Sequence, residues 1–330
     1  MRALQCYLRQ ELPPINDFLA RETEKLPPLV RDVARYVLQA GGKRLRPLLT
    51  ILFSRGRGRV AKDVYPLACA MEFFHSATLL HDDILDNSPL RRGQTTAHLV
   101  FGNTETILAG DVLLVLGNRL VVEYYDPRLS WLVAEALMRT ATGEVQELAW
   151  LNAPAPSQSH YLEIITGKTA YLIQAACHCG AILSGDPTLE QSALDYGLNL
   201  GIAFQLTDDA LDYETNSEVA GKPVGGDLRE GKLTLPLIFY LEQISEAKQK
   251  ELLSEIRREG MPPLRQASAL SEKRFTEIIA EVQRGGCVER TRRRAAEYVH
   301  LASEALKNFP ESKEREALQE TLIYTLQRDK

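Results

Sequence analysis

The sequence predicts an all-α protein, a bundle of long helices forming one domain over residues 1–330. Three observations predict it. Apolar residues recur near the 3.6-residue helical period from end to end. Alternating apolar patterns bounded by tight-turn signals, the mark of β-hairpins, are absent. Two stretches, 104–122 and 164–183, are apolar nearly all round, as helices central to a bundle are.

The elements follow in order from this period and its interruptions. A helix over 29–40 ends at Gly41-Gly42, and one over 46–54 is closed by Arg55-Gly56-Arg57-Gly58. The run 64–86 ends in an acidic cluster. Helices over 104–124 and 129–150 are separated by Asp126-Pro127, and Ala153-Pro154-Ala155-Pro156 stops the second. The stretch 160–183 ends at Gly185-Asp186-Pro187, and 189–213 carries a second acidic cluster. Shorter helices over 233–244 and 247–258 lead to Met261-Pro262-Pro263, followed by 275–284, 288–307 and a last helix near 313–328. No stretch is rich enough in Gly, Ser or Pro to act as a linker between two domains. The two acidic motifs echo each other, but the residues around them do not repeat.

Composition narrows the function. Hydrophobic content of 45% and charged content of 25% are those of an ordinary soluble globular protein. A net charge of −5 argues against general nucleic-acid binding. No apolar run approaches the roughly 20 residues of a membrane span. The start, Met1-Arg2-Ala3-Leu4-Gln5-Cys6, lacks the apolar centre of a signal peptide, so the cytoplasm is the expected compartment. Five cysteines are an odd number, and Cys177-His178-Cys179 has no second Cys/His pair at zinc-ligand spacing. The thiols read as structural.

The acidic clusters carry the chemistry. Asp82-Asp83-Ile84-Leu85-Asp86 and Asp208-Asp209-Ala210-Leu211-Asp212 both read Asp-Asp-x-x-Asp. Residues four apart share a helix face, so Asp82 pairs with Asp86 and Asp208 with Asp212. Carboxylates that close repel unless a cation joins them. Few hard oxygen ligands suit Mg²⁺, which keeps waters and shares its coordination with substrate phosphates. One such motif can be a solvated helix face. Here both copies end apolar helical runs, Phe73-Phe74-His75-Ser76-Ala77-Thr78-Leu79-Leu80 and Leu200-Gly201-Ile202-Ala203-Phe204-Gln205-Leu206, where carboxylates have no structural reason to gather.

Diphosphate chemistry also needs fixed cations. Gly41-Gly42-Lys43-Arg44-Leu45-Arg46-Pro47 opens a helix, where close backbone approach and free N–H groups favour phosphate. Lys43 and Arg46, three apart, face one point together. Arg91-Arg92-Gly93 follows Asp86 by a short loop, and Gly167-Lys168-Thr169-Ala170 sets a lone lysine in an apolar stretch, where burial demands a negative partner. After the second cluster comes a glycine-rich basic loop, Gly221-Lys222-Pro223-Val224-Gly225-Gly226-Asp227-Leu228-Arg229-Glu230-Gly231-Lys232. His75 lies two helical turns before Asp82 on the same face, and reads equally as a core residue or a ligand contact. Gln205, three residues before Asp208, either bonds locally or meets a phosphate oxygen or metal-bound water.

In order and spacing these blocks resemble the trans-isoprenyl diphosphate synthases, the polyprenyl synthetases, over essentially the whole chain. The resemblance implies an isoprenoid synthase-type helical bundle around a central cavity, usually a homodimer. It implies three Mg²⁺ held by Asp82, Asp86 and Asp208, with Asp212 assisting through water. The allylic diphosphate would meet Arg91, Lys168, Thr169, Gln205, Lys222 and Lys232. Isopentenyl diphosphate would meet Lys43, Arg46, His75 and Arg92. The implied reaction is ionisation of the allylic C–O bond, attack by the isopentenyl double bond and loss of a proton, with no side-chain nucleophile.

Product length in this family depends on what closes the cavity below the first acidic helix. The residues four and five before Asp82 are Thr78 and Ala77, where farnesyl-type enzymes carry an aromatic. The resemblance is to long-chain synthases making C30–C50 chains for quinones, with Phe73, Phe74 and Trp150 as candidate floors. The alternative is a geranylgeranyl-type C20 synthase. A non-catalytic partner of a heteromeric synthase would lose carboxylates from one cluster, and this chain keeps all six. A terpene cyclase would have no use for Lys43, Arg46, His75 and Arg92.

Overall fold

The computed structural model describes residues 2–56, 63–150, 156–214, 225–256 and 270–328. It is all-α. In chain order come α1 (Arg2–Glu24), α2 (Pro28–Gln39), α3 (Leu45–Ser54), α4 (Tyr65–Leu85), α5 (Ala97–Phe101), α6 (Asn103–Val122), α7 (Pro127–Trp150) and α8 (Gln158–Ile165). A π-turn (Thr166–Ala170) joins α8 to α9 (Tyr171–Ser184), and α10 (Glu190–Glu214) follows. The later helices are Gly226–Arg229, Leu235–Leu241, Glu246–Ile256, Glu272–Arg284, Cys287–Ala305 and Lys313–Leu326. Among the described residues the only sheet is a minimal antiparallel pair, β1 (Leu90–Arg91) and β2 (Gln94–Thr95), with Leu90 opposite Thr95.

Four features differ from the sequence reading. Helix α1 is not among the predicted elements, because Pro13 and Pro14 sit inside it and each removes a backbone donor. Burial of Ile15, Phe18 and Leu19 in the core holds the helix nonetheless. The pair β1–β2 is a hairpin the pattern did not show, since two-residue strands cannot register alternation. The expected helix over 160–183 is broken by the π-turn. Helix α6, read as central, exposes Ile107, Leu108, Val115 and Val122, so its apolar surplus is an uncovered stripe. The end of the expected helix 247–258 lies outside the described residues.

The chain groups into two compact units. One comprises Met1–Arg139, Tyr171–Leu198 and Leu301–Tyr324, and the other Thr140–Ala170, Asn199–His300 and Thr325–Lys330. In the first unit α3 packs on α9 and α4 on α6. Glycines set both approaches: a Cβ on Gly180 would lie 2.3 Å from the Thr50 carbonyl oxygen, and one on Gly117 2.5 Å from the Phe74 ring. Phe73, Phe74, Leu113 and Met71 are fully enclosed there, each worth about 1.5–3 kcal/mol by burial. In the second unit Gly143 lies against the backbone of Lys168, and Gly201 against Ala170, so the π-turn is clasped by two glycine faces.

All five cysteines are free thiols; Cys6 is exposed, while Cys69, Cys177, Cys179 and Cys287 are buried. Burial pushes the four buried thiols up from their ordinary pKa. Among the described residues no helix is long and apolar enough to cross a membrane.

Candidate active site

The two acidic clusters fold alike. In α4, Asp82 and Asp86 are partly exposed while Asp83 is only 3% exposed. In α10, Asp208 and Asp212 are partly exposed while Asp209 is only 2% exposed. Successive helical residues turn by about 100°, so the outer carboxylates share a face and the middle one points elsewhere. Asp83 takes the Nε of Arg91 at 2.6 Å. Asp209 accepts from the Tyr161 hydroxyl at 2.5 Å and from Gln205 Nε2 at 2.8 Å. Burial raises both middle carboxyls, Asp209 to about 7, with Asp208 and Asp212 adding to the rise and the Tyr161 and Gln205 hydrogen bonds opposing it.

The outer carboxylates of the second cluster are engaged within the protein. Arg328 Nη1 lies 2.8 Å from Asp208 Oδ1, its guanidinium 4.2 Å above the Phe204 ring. Asp212 accepts from the backbone N–H of Gly226 at 2.9 Å and of Asp227 at 3.1 Å, and so holds the start of the Gly226–Arg229 helix. Among the described residues no three His, Cys, Asp or Glu side chains are gathered to hold a metal. The donor set still fits Mg²⁺, which binds through one or two carboxylates and takes its other ligands from water and phosphate.

The first unit gathers the predicted cations. Burial first, and then Arg46, Arg92, Arg91 and Arg44, hold the His75 imidazole well below its ordinary pKa. Burial and Arg92 together push the Arg46 guanidinium down to about 10, against the pull of Glu72. Its Nε is buried with no hydrogen-bond partner among the described residues. Arg92 is lowered too, first by desolvation, then by Arg44 and Arg91. Its guanidinium occupies the place where a Cβ on Gly42 would stand, at 2.9 Å from Nη1. Lys43 lies over the Tyr324 ring at 4.7 Å. Arg44, in the left-handed region at φ 48°, is structural. It donates to Glu72 at 2.6 Å, the Leu38 carbonyl at 2.6 Å and Asn16 at 3.2 Å. Unlike charges are scarce among these groups, which is the electrostatics of a site for an anion.

The second unit gathers the others. Lys168 rides the π-turn, its ammonium 2.9 Å from Glu144 and 2.6 Å from Glu147. Thr169 donates to Gln205 Oε1 at 2.8 Å. Lys232 pairs with Glu230 at 2.7 Å. Lys222 lies outside the described residues. Of the two length candidates, Thr78 is partly exposed on the Asp82 face, whereas Ala77 is fully buried among Phe73, Phe74 and Leu80. Phe73 and Phe74 are wholly core, and Trp150 stacks on His160 at 4.6 Å between ring centres.

A profile of the polyprenyl synthetase family matches residues 27–270. The chain belongs to the polyprenyl synthetase family. Octaprenyl diphosphate synthase of Escherichia coli strain K12 is 34% identical over 323 residues, covering 97% of each chain. A short chain isoprenyl diphosphate synthase of Methanothermobacter thermautotrophicus is 35% identical over 308 residues, covering 92% of this chain and 91% of its own. The fold is that of solved polyprenyl synthases. A Caulobacter crescentus polyprenyl synthase, solved with calcium and isoprenyl diphosphate, superposes with a TM-score of 0.91 at 37% identity, over 100% of this chain and 98% of its own.

Membership in this family does not by itself find every residue of the site. Sequence reasoning missed Tyr161, Glu144, Glu147 and Arg328. A signal existed for the two glutamates: they stand three apart on α7, and a lysine in an apolar stretch needs a negative partner. For Tyr161 and Arg328 no spacing gave notice.

Proposed function

We propose that the protein is a long-chain trans-polyprenyl diphosphate synthase, a prenyltransferase adding isopentenyl diphosphate units head to tail onto an allylic diphosphate. The observation that carries the reading is the cation cluster of Arg46, Arg92 and His75, with a buried guanidinium donor left unmet. Leaving such a donor dry costs about 1–3 kcal/mol, which a diphosphate oxygen would recover. Lys43, Arg46, His75 and Arg92 bind isopentenyl diphosphate. Arg91, Lys168, Thr169, Gln205, Lys222 and Lys232 serve the allylic diphosphate. Asp82, Asp86 and Asp208, with Asp212, would hold three Mg²⁺. When bound, these ions neutralise the departing diphosphate and so favour ionisation of the allylic C–O bond. Asp83 keeps Arg91 in place, and Glu144 and Glu147 do the same for Lys168. With water excluded, the isopentenyl double bond attacks the allylic cation, and the released diphosphate takes the proton whose loss restores the alkene.

A long product, C30–C50, is supported by relatives such as octaprenyl diphosphate synthase and by the absence of an aromatic at Ala77 or Thr78. Ala77 and Thr78 are the positions that control length, neither large enough to stop the growing chain early. We read the chain as one catalytic domain, since the family match runs through both compact units. It acts in the cytoplasm as a homodimer, formed through the apolar stripe of Leu108, Val115 and Val122 on α6 and Trp131 and Met138 on α7.

The test is incubation of the purified protein with Mg²⁺, farnesyl diphosphate and labelled isopentenyl diphosphate, products being dephosphorylated and sized. The expected outcome is a ladder ending at C30 or beyond, abolished by chelation. Asp82→Asn and Asp208→Asn should each slow incorporation by about 10²–10³-fold, the scale of one electrostatic stabiliser. A stop at C20 would retain the chemistry and refute the length. No incorporation with any primer would refute the synthase.

A further inference from the structure

Four side chains of the second unit form a hydrogen-bonded chain, two from each of two segments. Tyr161 and Thr169 come from α8 and the π-turn that follows it; Gln205 and Asp209, four apart, come from α10. Tyr161 donates to one oxygen of Asp209 and Gln205 Nε2 to the other, at 2.5 and 2.8 Å. Thr169 donates to Gln205 Oε1 at 2.8 Å. Tyr161 and Asp209 are both buried. Ser157 caps the start of α8, its hydroxyl accepting from His160 N–H one residue before Tyr161.

The direction of these bonds matters more than their number. A side-chain amide can turn end for end with little change of shape, exchanging its donor for its acceptor. In its ionised form Asp209 only accepts, and so obliges Gln205 to present its NH₂ inward and its oxygen to Thr169. Asp209 can enforce that choice only while its other oxygen is satisfied. Without the tyrosine hydroxyl, a buried carboxylate oxygen is left short of a donor, and Gln205 or the Asp209 rotamer must shift to supply one.

We propose that Tyr161 is a positioning residue for the Thr169–Gln205 pair, its hydroxyl holding Asp209 so that the Gln205 amide keeps one orientation. The effect on turnover rests on the prenyl-transfer reading above; the effect on Gln205 does not. Tyr161→Phe removes one oxygen and keeps the ring that fills the core.

Two measurements test this. The first is the NMR signal of the Gln205 side-chain amide, assigned by its loss in Gln205→Leu; in Tyr161→Phe it should shift or broaden. The second is single-turnover condensation in a double-mutant cycle. Tyr161→Phe should lower kcat/KM for the allylic diphosphate roughly tenfold to a hundredfold, with KM for isopentenyl diphosphate unchanged. In the Gln205→Leu background the same change should cost little, because the group it positions is gone. An unmoved Gln205 signal overturns the proposal, as does an equal loss in both backgrounds, which would mark Tyr161 as packing alone. A wild-type protein that condenses nothing, while the Gln205 signal still moves in Tyr161→Phe, refutes the synthase reading and upholds the orientation.

Discussion

His75 shows how one side chain carries the electrostatics of its surroundings. Burial, and after it the arginines around it, make the folded protein refuse it a proton that the unfolded chain accepts. Unfolded His titrates near 6.5, so the unfolded state binds more protons as pH falls below about 6.5, and stability falls with it. Between pH 7.5 and 5.5 this group should therefore cost the fold stability. Urea denaturation of wild type and His75→Gln at the two pH values checks it: the variant should lose less stability than wild type on acidification, and parallel losses would refute the assignment. Saturating inorganic diphosphate should shrink the difference, since an anion among these arginines makes the proton welcome. At this scale the sequence was legible wherever spacing decides orientation. Asp82 with Asp86, and Asp208 with Asp212, share faces because they stand four apart. Arg91 for Asp83 and Tyr161 for Asp209 come from other elements, and no spacing along the chain encodes them.

The π-turn is the element on which Lys168 depends, and its shape depends on a glycine in another helix. A Cβ on Gly143 would stand 2.5 Å from the Lys168 nitrogen and 2.9 Å from the Gly167 carbonyl carbon. Both are backbone atoms, which cannot swing aside as a side-chain tip can. Alanine favours a helix over glycine by about 1 kcal/mol, yet overpacking costs about 1–3 kcal/mol, so overlap wins. Gly143→Ala should therefore lower stability by up to about 2 kcal/mol. It should also weaken allylic diphosphate use as Lys168 shifts; urea melts and allylic KM are the checks, and a stabilised, fully active variant would refute the clasp. Periodicity found the helices around this turn and missed the turn itself, because one extra residue in a helical ring leaves the apolar pattern nearly unchanged. It missed α1 for the opposite reason, since Pro13 and Pro14 announce an end that packing of Ile15 and Leu19 overrides.

For the whole molecule, the apolar residues left outside are as informative as those within. Leu108, Val115 and Val122 recur every seven residues along one face of α6, and Val115 and Trp131 are each 69% exposed. A monomer would carry that surface at a cost in solubility, and the homodimer proposed above would cover it. Val115→Glu and Trp131→Glu should each turn a dimer into a folded monomer by sedimentation analysis. An unchanged mass in both would place the interface elsewhere. The sequence disclosed the apolar surplus of α6 but not which way it faced, because periodicity counts apolar positions without saying what covers them. The thiols offer a last consequence, in reactivity. A gentle alkylating reagent meets one accessible sulfur, at Cys6, while four others sit inside the core with their thiolate forms suppressed. The folded protein can thus carry a single probe near its first turn, and any further labelling counts the molecules that have opened.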